Sequence, residues 1–439
     1  MSNIRLIDAI NKPEDLILTA SNLGYKGIAL TDHEALCGHV DWLKAEEKLK
    51  KEQKISNDFV CALGNEIYLV DERKTKQKYW HFLLIAKNNQ GHRALRELSS
   101  QAWLNEYRDR GMERVPTLKS ELKAIVEKYP NSLIADCACI GGQLAGLVFE
   151  LLDAETEQDD EKIIEKKLQI NDFLTFCIDL FGDDYYIELA PGISKDQIRF
   201  NKRIKSIAHA YNRKLIIATD AHYLTAEYRE VHKAFLNSKD GEREVDSFYH
   251  DAHLMDDEEA FNNLKNIYTR EEFDEMCKNS LELMSKIEGY SLFHAPIIPE
   301  VKVDGGTPIY IKSLSSYPNL QRLRNSNNPQ EREWVICCLN SLKEKNLEKE
   351  EYFKRLELEA DIISTISEKL GNCLFSYFNT FKHYIDLFWE CGSVIGPGRG
   401  SSGSFLSNYL LNITQLDPIV WNFPYFRFLN KDRVELPNL

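Results

Sequence analysis

From residue 1 to about 230, short apolar runs alternate with longer segments of helical period. The runs are GIALTDH, FVCALGNEIYLV, WHFLLIAKN, SLIADCACIGG, YYIELAPG and LIIATDAHYL, and each carries a polar or ionisable group at or near its end. Between them lie amphipathic stretches such as PEDLILTASNLGY and DQIRFNKRIKSIAHAYNR. This alternation predicts parallel strands joined by helical crossovers, an α/β class. A barrel is the more specific expectation, because ionisable residues gather at strand C-terminal ends, the rim where such barrels place their chemistry. Residues 103–130 and 150–172 are charged and read as exposed helices. Near residue 295 the pattern changes to HAPIIPEVKVDGGTP, which has Pro and Gly and no helical period, and predicts a boundary between domains 1–295 and 296–439. Beyond about 328, helical segments rich in i,i+4 charge pairs follow.

A length of 439 residues predicts more than one domain, and 43% hydrophobic residues suffice for real cores. The chain has no run of about 18 apolar residues and no signal-peptide pattern at its start, so the expectation is a cytoplasmic protein without a membrane partner. Ten cysteines form no CxxC pair, which fits free thiols in a reducing compartment. The net charge of −14 gives no compositional support for nucleic-acid binding, although a local basic groove can sit on an acidic protein.

Several runs deliver metal-ligand chemistry. His33 closes GIALTDH, Glu66 lies in LGNEIYL, His81 begins HFLLIAKN, Cys139 follows SLIADCA, and Asp220 and His222 end LIIATDAH. Imidazole, carboxylate and thiolate together suit zinc or a related transition metal. Alternate residues of a strand point the same way, so Asp220 and His222 can face one site. His39, His92, His209, His232, His250, His253 and His294 lie in helix-like or loop contexts and read as structural.

A second candidate is VIGPGRGSSGSFL at 394–406, ahead of the helix-like SFLSNYLLNI. Its glycines would let backbone N–H groups approach an anion, Arg399 adds positive charge, and the loop would open onto a helix N-terminus. It lacks GK[ST], so it is not a nucleoside-triphosphate P-loop, and no βαβ unit surrounds it as a dinucleotide fingerprint requires.

The stretches SNIRLIDAI, GIALTDHEALCG, LGNEIYL, HFLLIAKNNQGHRAL, CACIGGQLAG and ATDAHYL resemble the PHP domain of bacterial DNA polymerase III alpha subunits. LELEADIISTISEKLGNCLFSYFNTFKHYIDLFWECG, GPGRGSSGSFLSNYLLNITQLDPI and FRFLNKDRVELP are similar to the palm entrance of the same C-family polymerases. The resemblance implies a distorted (β/α)7 PHP barrel followed by a partial α+β palm of polymerase-beta-like nucleotidyltransferase type. It implies metal ligands at Asp8, His33, Glu66, His81, Cys139, Asp220 and His222, holding Zn or Mn. It further implies a triphosphate grip by Gly398, Arg399, Gly400, Ser401, Ser402 and Ser404, with Mg for polymerase chemistry.

Two departures qualify these implications. The family opens with an HxH pair ahead of the segment matching SNIRLIDAI, where this chain has Met1. After RVELP the family continues into a PD-x-D-x-D strand, whereas here Asn438 stands at the first aspartate. A neutral amide is a poor Mg²⁺ ligand. The expectation is therefore the N-terminal portion of a DNA-directed DNA polymerase, inactive in polymerisation without catalytic aspartates, thumb and fingers. Its implied partners are primer-template DNA, dNTP, a second polypeptide carrying the rest of the enzyme, and other replisome subunits. The alternative is a metal-dependent PHP phosphoesterase or 3′–5′ exonuclease.

Overall fold

The computed structural model describes residues 9–74, 79–109, 112–238, 249–294, 297–310 and 312–433. Two compact units divide the chain, Met1–Phe293 and His294–Leu439.

The first unit contains β1 (Gly27–Leu30), β2 (Val60–Val70), β3 (Trp80–Ala86), β4 (Tyr107–Asp109), β5 (Met112–Arg114), β6 (Thr117–Leu118), β7 (Leu133–Asp136), β8 (Tyr185–Leu189) and β9 (Leu215–Ile217). Seven of these form a curled half-barrel sheet in the order β1-β2-β3-β7-β8-β9, with β6 also on β2; β4 and β5 form a separate hairpin. β1 pairs parallel with β2, and β7, β8 and β9 pair parallel in succession. β3, however, runs antiparallel to both β2 and β7, so the all-parallel expectation fails at this one strand. A connection of nine residues joins β2 to β3, too short for the helical crossover that parallel strands need.

Strand parity then sorts the side chains. On one face Ile67, Leu69, Phe82, Leu84, Ala135, Tyr185, Ile187 and Leu189 join the main core. The helices Asn89–Leu104, Gln143–Glu157, Asp160–Phe181 and Lys195–Ala210 contribute Leu95, Leu98, Val148, Leu151, Phe173, Leu174, Phe200 and Ile204 to it. Phe82 alone meets the rings of Phe173, Phe181 and Tyr185 at 6.1–6.5 Å between centroids. Ala62, Ile85, Ile134, Tyr186 and Ile216 lie on the opposite face with Leu283. By the same alternation Glu66, His81, Asp136 and Glu188 belong to that second face.

The second unit contains the helices Pro318–Arg324, Pro329–Glu344, Glu350–Leu370, Leu374–Glu390 and Leu406–Leu410. They close on Trp334, Leu339, Leu356, Ile363, Phe375, Phe378, Phe405 and Phe428. Trp334 and Phe375 meet edge-on at 5.1 Å. The described residues of this unit contain no strand, so the sheet component of the expected α+β palm is not found among them. Among the described residues no helix is long and apolar enough to cross a membrane.

Candidate metal centre and phosphate loop

Three strands end, and three residues later a ligand-type side chain appears. His33 follows Leu30 of β1, Cys139 follows Asp136 of β7, and Asp220 follows Ile217 of β9. The parallel strands thus present their C-terminal ends to one rim. β3 runs the other way, so the second residue of the strand, His81, reaches the rim from its start. β2 is long enough to pass the rim, and Glu66 sits at its level, bridged to His33.

His33, Glu66 and His81 converge there, with candidate donor atoms all within 4.8 Å of one another. His81 Nδ1 lies 2.7 Å from Glu66 Oε1, and His33 Nδ1 lies 3.7 Å from Glu66 Oε2. The two imidazoles meet edge-on at 4.9 Å. Cys139 Sγ is 3.6 Å from His81 Nδ1, and it accepts the Gly141 N–H at 3.4 Å. Gly141 leaves room for the ring: a Cβ there would stand 2.9 Å from His81 Nδ1. Glu66 is buried. Burial favours its neutral form, but His33 and His81, and then His222, outweigh that and hold its carboxyl down at about 2. The Cys139 thiol is pushed well up by burial and by the carboxylates of Asp220 and Glu66. A bound cation would reverse that preference and favour thiolate. Two imidazoles, an ionised carboxylate and a thiol fit a divalent transition metal.

Asp220 lines the same cavity as Glu66 and Cys139, a space of about 440 Å³. Its φ of 42° turns the backbone so that its carbonyl accepts from His222 Nδ1 at 2.7 Å. That contact makes Nε2 the basic nitrogen of the buried His222. Asp8 and Asn438 lie outside the described residues.

Sequence reasoning missed two groups in this cavity, Asp136 and Glu188. Both are buried, and burial raises both, Asp136 to about 7 and Glu188 well above the usual carboxylate range. Asp136 accepts the Ala138 N–H at 2.8 Å. The signal was a lone acid interrupting an apolar run, in SLIAD and YYIEL. The histidines read as structural include a buried pair: His39 Nδ1 lies 3.1 Å from His92 Nε2, and His39 Nε2 lies 2.9 Å from the Gly64 carbonyl.

The phosphate loop differs from its expectation in a specific way. Gly398, Arg399 and Gly400 are exposed, with Gly398 at φ 151° and Gly400 at φ 55°. Ser401 is half-buried, whereas Ser402 and Ser404 are buried. The Ser402 hydroxyl donates to the Arg399 carbonyl at 2.6 Å, and the Ser404 hydroxyl donates to the Ser401 carbonyl at 2.5 Å. The helix N-terminus that should have met an anion already has one. The buried Glu359 carboxylate accepts the N–H groups of Leu406 at 2.7 Å and Ser407 at 2.8 Å. Arg355 pairs with Glu359 at 2.8 Å and donates to the carbonyls of Ser404 at 2.5 Å and Phe423 at 3.2 Å. The exposed Gly398–Gly400 segment and the half-buried Ser401 are what remain open to a ligand.

A curled α/β sheet with imidazole, carboxylate and thiol at one rim is the arrangement of a PHP domain, and the PHP domain model matches residues 2–191. The bacterial DNA polymerase III alpha NTPase domain model matches residues 327–439. A DNA-directed DNA polymerase of Bacillus phage SPbeta is 37% identical over 460 residues, covering 100% of this chain and 35% of the relative. The DNA polymerase III subunit alpha of Aquifex aeolicus is 29% identical over 458 residues, covering 99% and 35%. That of Campylobacter jejuni is 27% identical over 449 residues, covering 99% and 34%. The chain thus spans about a third of the length of these relatives.

Proposed function

We propose that this chain is the N-terminal portion of a DNA polymerase III alpha-type, DNA-directed DNA polymerase, working in the cytoplasm. The carrying observation is the order of the two domain matches, PHP then NTPase, within homology to polymerases along the whole chain. Primer-template DNA and dNTP are its substrates, and other replisome subunits its partners. In this reading Arg399 and the backbone N–H groups of Gly398–Ser401 would take the triphosphate, and Mg²⁺, when bound, would neutralise the charge that develops on transfer. Primer extension tests it, with the chain alone and mixed with a polypeptide carrying the rest of the SPbeta relative. Incorporation by the mixture that is lost in Arg399→Ala is expected. A mixture that extends no primer despite forming a complex refutes it.

A second activity is favoured by the assembled rim: metal-dependent phosphoester hydrolysis, including 3′–5′ exonuclease action. His33, Glu66 and His81 would hold a Zn or Mn ion, with Cys139, Asp220 and His222 as further donors. When bound, such an ion supplies Lewis acidity and a hydroxide-like nucleophile near neutral pH. The chain's own part is to keep Glu66 ionised, which His33 and His81 do by holding its carboxyl down. Metal analysis of the purified protein and hydrolysis of 3′-labelled single-stranded DNA are the test, with Glu66→Ala as the control. A metal-free, inactive wild type rules this reading out.

A further inference from the structure

We propose that Glu34 is a positioning residue for the His33–Glu66–His81 cluster, an inference that rests on the metal reading of that cluster. Glu34 follows His33, is fully buried, and adopts a left-handed backbone at φ 50°. A non-glycine residue is strained there, so its surroundings must hold it. The surroundings are specific. On the edge of β2, the Glu66 N–H donates to the Asp32 carbonyl at 3.1 Å, and the Glu34 N–H donates to the Glu66 carbonyl at 2.9 Å. These two bonds clasp His33 against Glu66 and continue the β1–β2 ladder past the end of β1. The left-handed turn then takes the backbone away from β2. The next donor on that edge, the Tyr68 N–H, is met by the Glu34 carboxylate. A side-chain oxygen thus takes the place of the missing backbone carbonyl and extends the ladder by one rung.

The consequence reaches both imidazoles. The Tyr68 ring stacks on His33 at 5.5 Å and lies against His81 at 5.3 Å, so fixing Tyr68 fixes the wall behind both. Across the β2–β3 ladder Tyr68 is also the register partner of His81. The Glu34 carbonyl accepts from Trp103 Nε1 at 2.8 Å and Ser99 Oγ at 3.3 Å, which ties the turn to the helix Asn89–Leu104. The Asn65 amide donates to the carbonyls of Asp32 at 2.8 Å and Ala35 at 3.3 Å, clamping the turn from both sides.

The discriminating variant is Glu34→Gly, which suits a φ of 50° and keeps the turn while deleting the carboxylate. Glu34→Gln keeps an oxygen acceptor and serves as the rescue. Zn²⁺ is titrated calorimetrically into each full-length, metal-free protein, and the titration is repeated with Mn²⁺. The expected result is affinity weakened about 10–100-fold in Glu34→Gly, the usual cost of losing an outer-shell partner, and restored in Glu34→Gln. Wild-type affinity in Glu34→Gly overturns the proposal. A wild type that takes up no ion instead defeats the metal reading. The ring signals of His33 and His81 in long-range ¹H–¹⁵N spectra of the metal-free proteins then decide. Both shift in Glu34→Gly if Glu34 positions them, and unmoved signals overturn the proposal.

Discussion

Glu359 makes the phosphate loop a testable piece of architecture. Replacing it by alanine leaves the Leu406 and Ser407 N–H groups, both on buried residues, without their acceptor. An unsatisfied buried donor costs about 1–3 kcal/mol. Arg355 also loses its carboxylate, although it keeps the Ser404 and Phe423 carbonyls. Against this, burial has already raised the Glu359 carboxyl despite Arg355 and the two N–H groups, so its removal recovers some desolvation. The balance is a loss of about 3–5 kcal/mol, the range for breaking one side of a buried ion pair. Glu359→Gln keeps one acceptor oxygen and should lose about 1–3 kcal/mol. Urea unfolding followed by tryptophan fluorescence reads the loss, since Trp334 is buried in this unit's core. Hydrogen exchange at the Leu406 and Ser407 amides reads its place. A loss under about 1 kcal/mol in Glu359→Ala, or unchanged protection at those two amides, would refute the reasoning.

Three further outcomes follow from the first unit. Gly141→Ala should displace the His81 ring, since its Cβ would stand 2.9–3.1 Å from three ring atoms; a Zn²⁺ titration should show weaker uptake with the fold retained by circular dichroism. Burial, then His39 and Arg96, lowers His92 to about 4 from 6.5, so the unfolded chain takes up a proton below about pH 6.5 that the native state refuses. This contribution destabilises the fold as pH falls from about 6.5 to 4, and His92→Gln should flatten that limb in urea titrations at stepped pH. Asp136 runs the other way: raised to about 7 from 3.8, it binds a proton in the native state that the unfolded chain releases. Its contribution is complete below about pH 3.8 and lost as pH rises to about 7, so Asp136→Asn should be relatively more stable than wild type above neutrality by the same assay.

Ligand residue types at strand ends were legible because period-two alternation and the polar close of each apolar run are properties of local sequence. GIALTDH, SLIADCAC and LIIATDAH each carry a ligand-type residue just past their apolar run, and in the structure His33, Cys139 and Asp220 lie three residues beyond the strand ends. The run of β3 itself reads alike both ways, and its direction was carried only by the nine residues before it, too few for a helical crossover. In a parallel β3, His81 would open the strand at the far rim; antiparallel pairing brings it to Glu66. Asp136 and Glu188 were overlooked because buried acids inside apolar runs pass for strand residues until the cavity behind them is seen. The loop serines misled for a different reason. Composition shows hydroxyls, but Ser402 and Ser404 turn theirs onto their own loop, and the anion at the helix start comes from Glu359, 47 positions before Leu406.

β2 touches β1, β3 and β6, and Glu66 lies between the residues that pair with β1 and those that pair with β6. A shift of one residue along either main ladder would turn its carboxylate toward the helix-covered face. The cluster therefore works as a coincidence detector, complete only when two independent strand pairings have both found their place. Ion uptake during refolding should then come late and all at once, making capture of a single ion a timestamp for the moment the sheet locks.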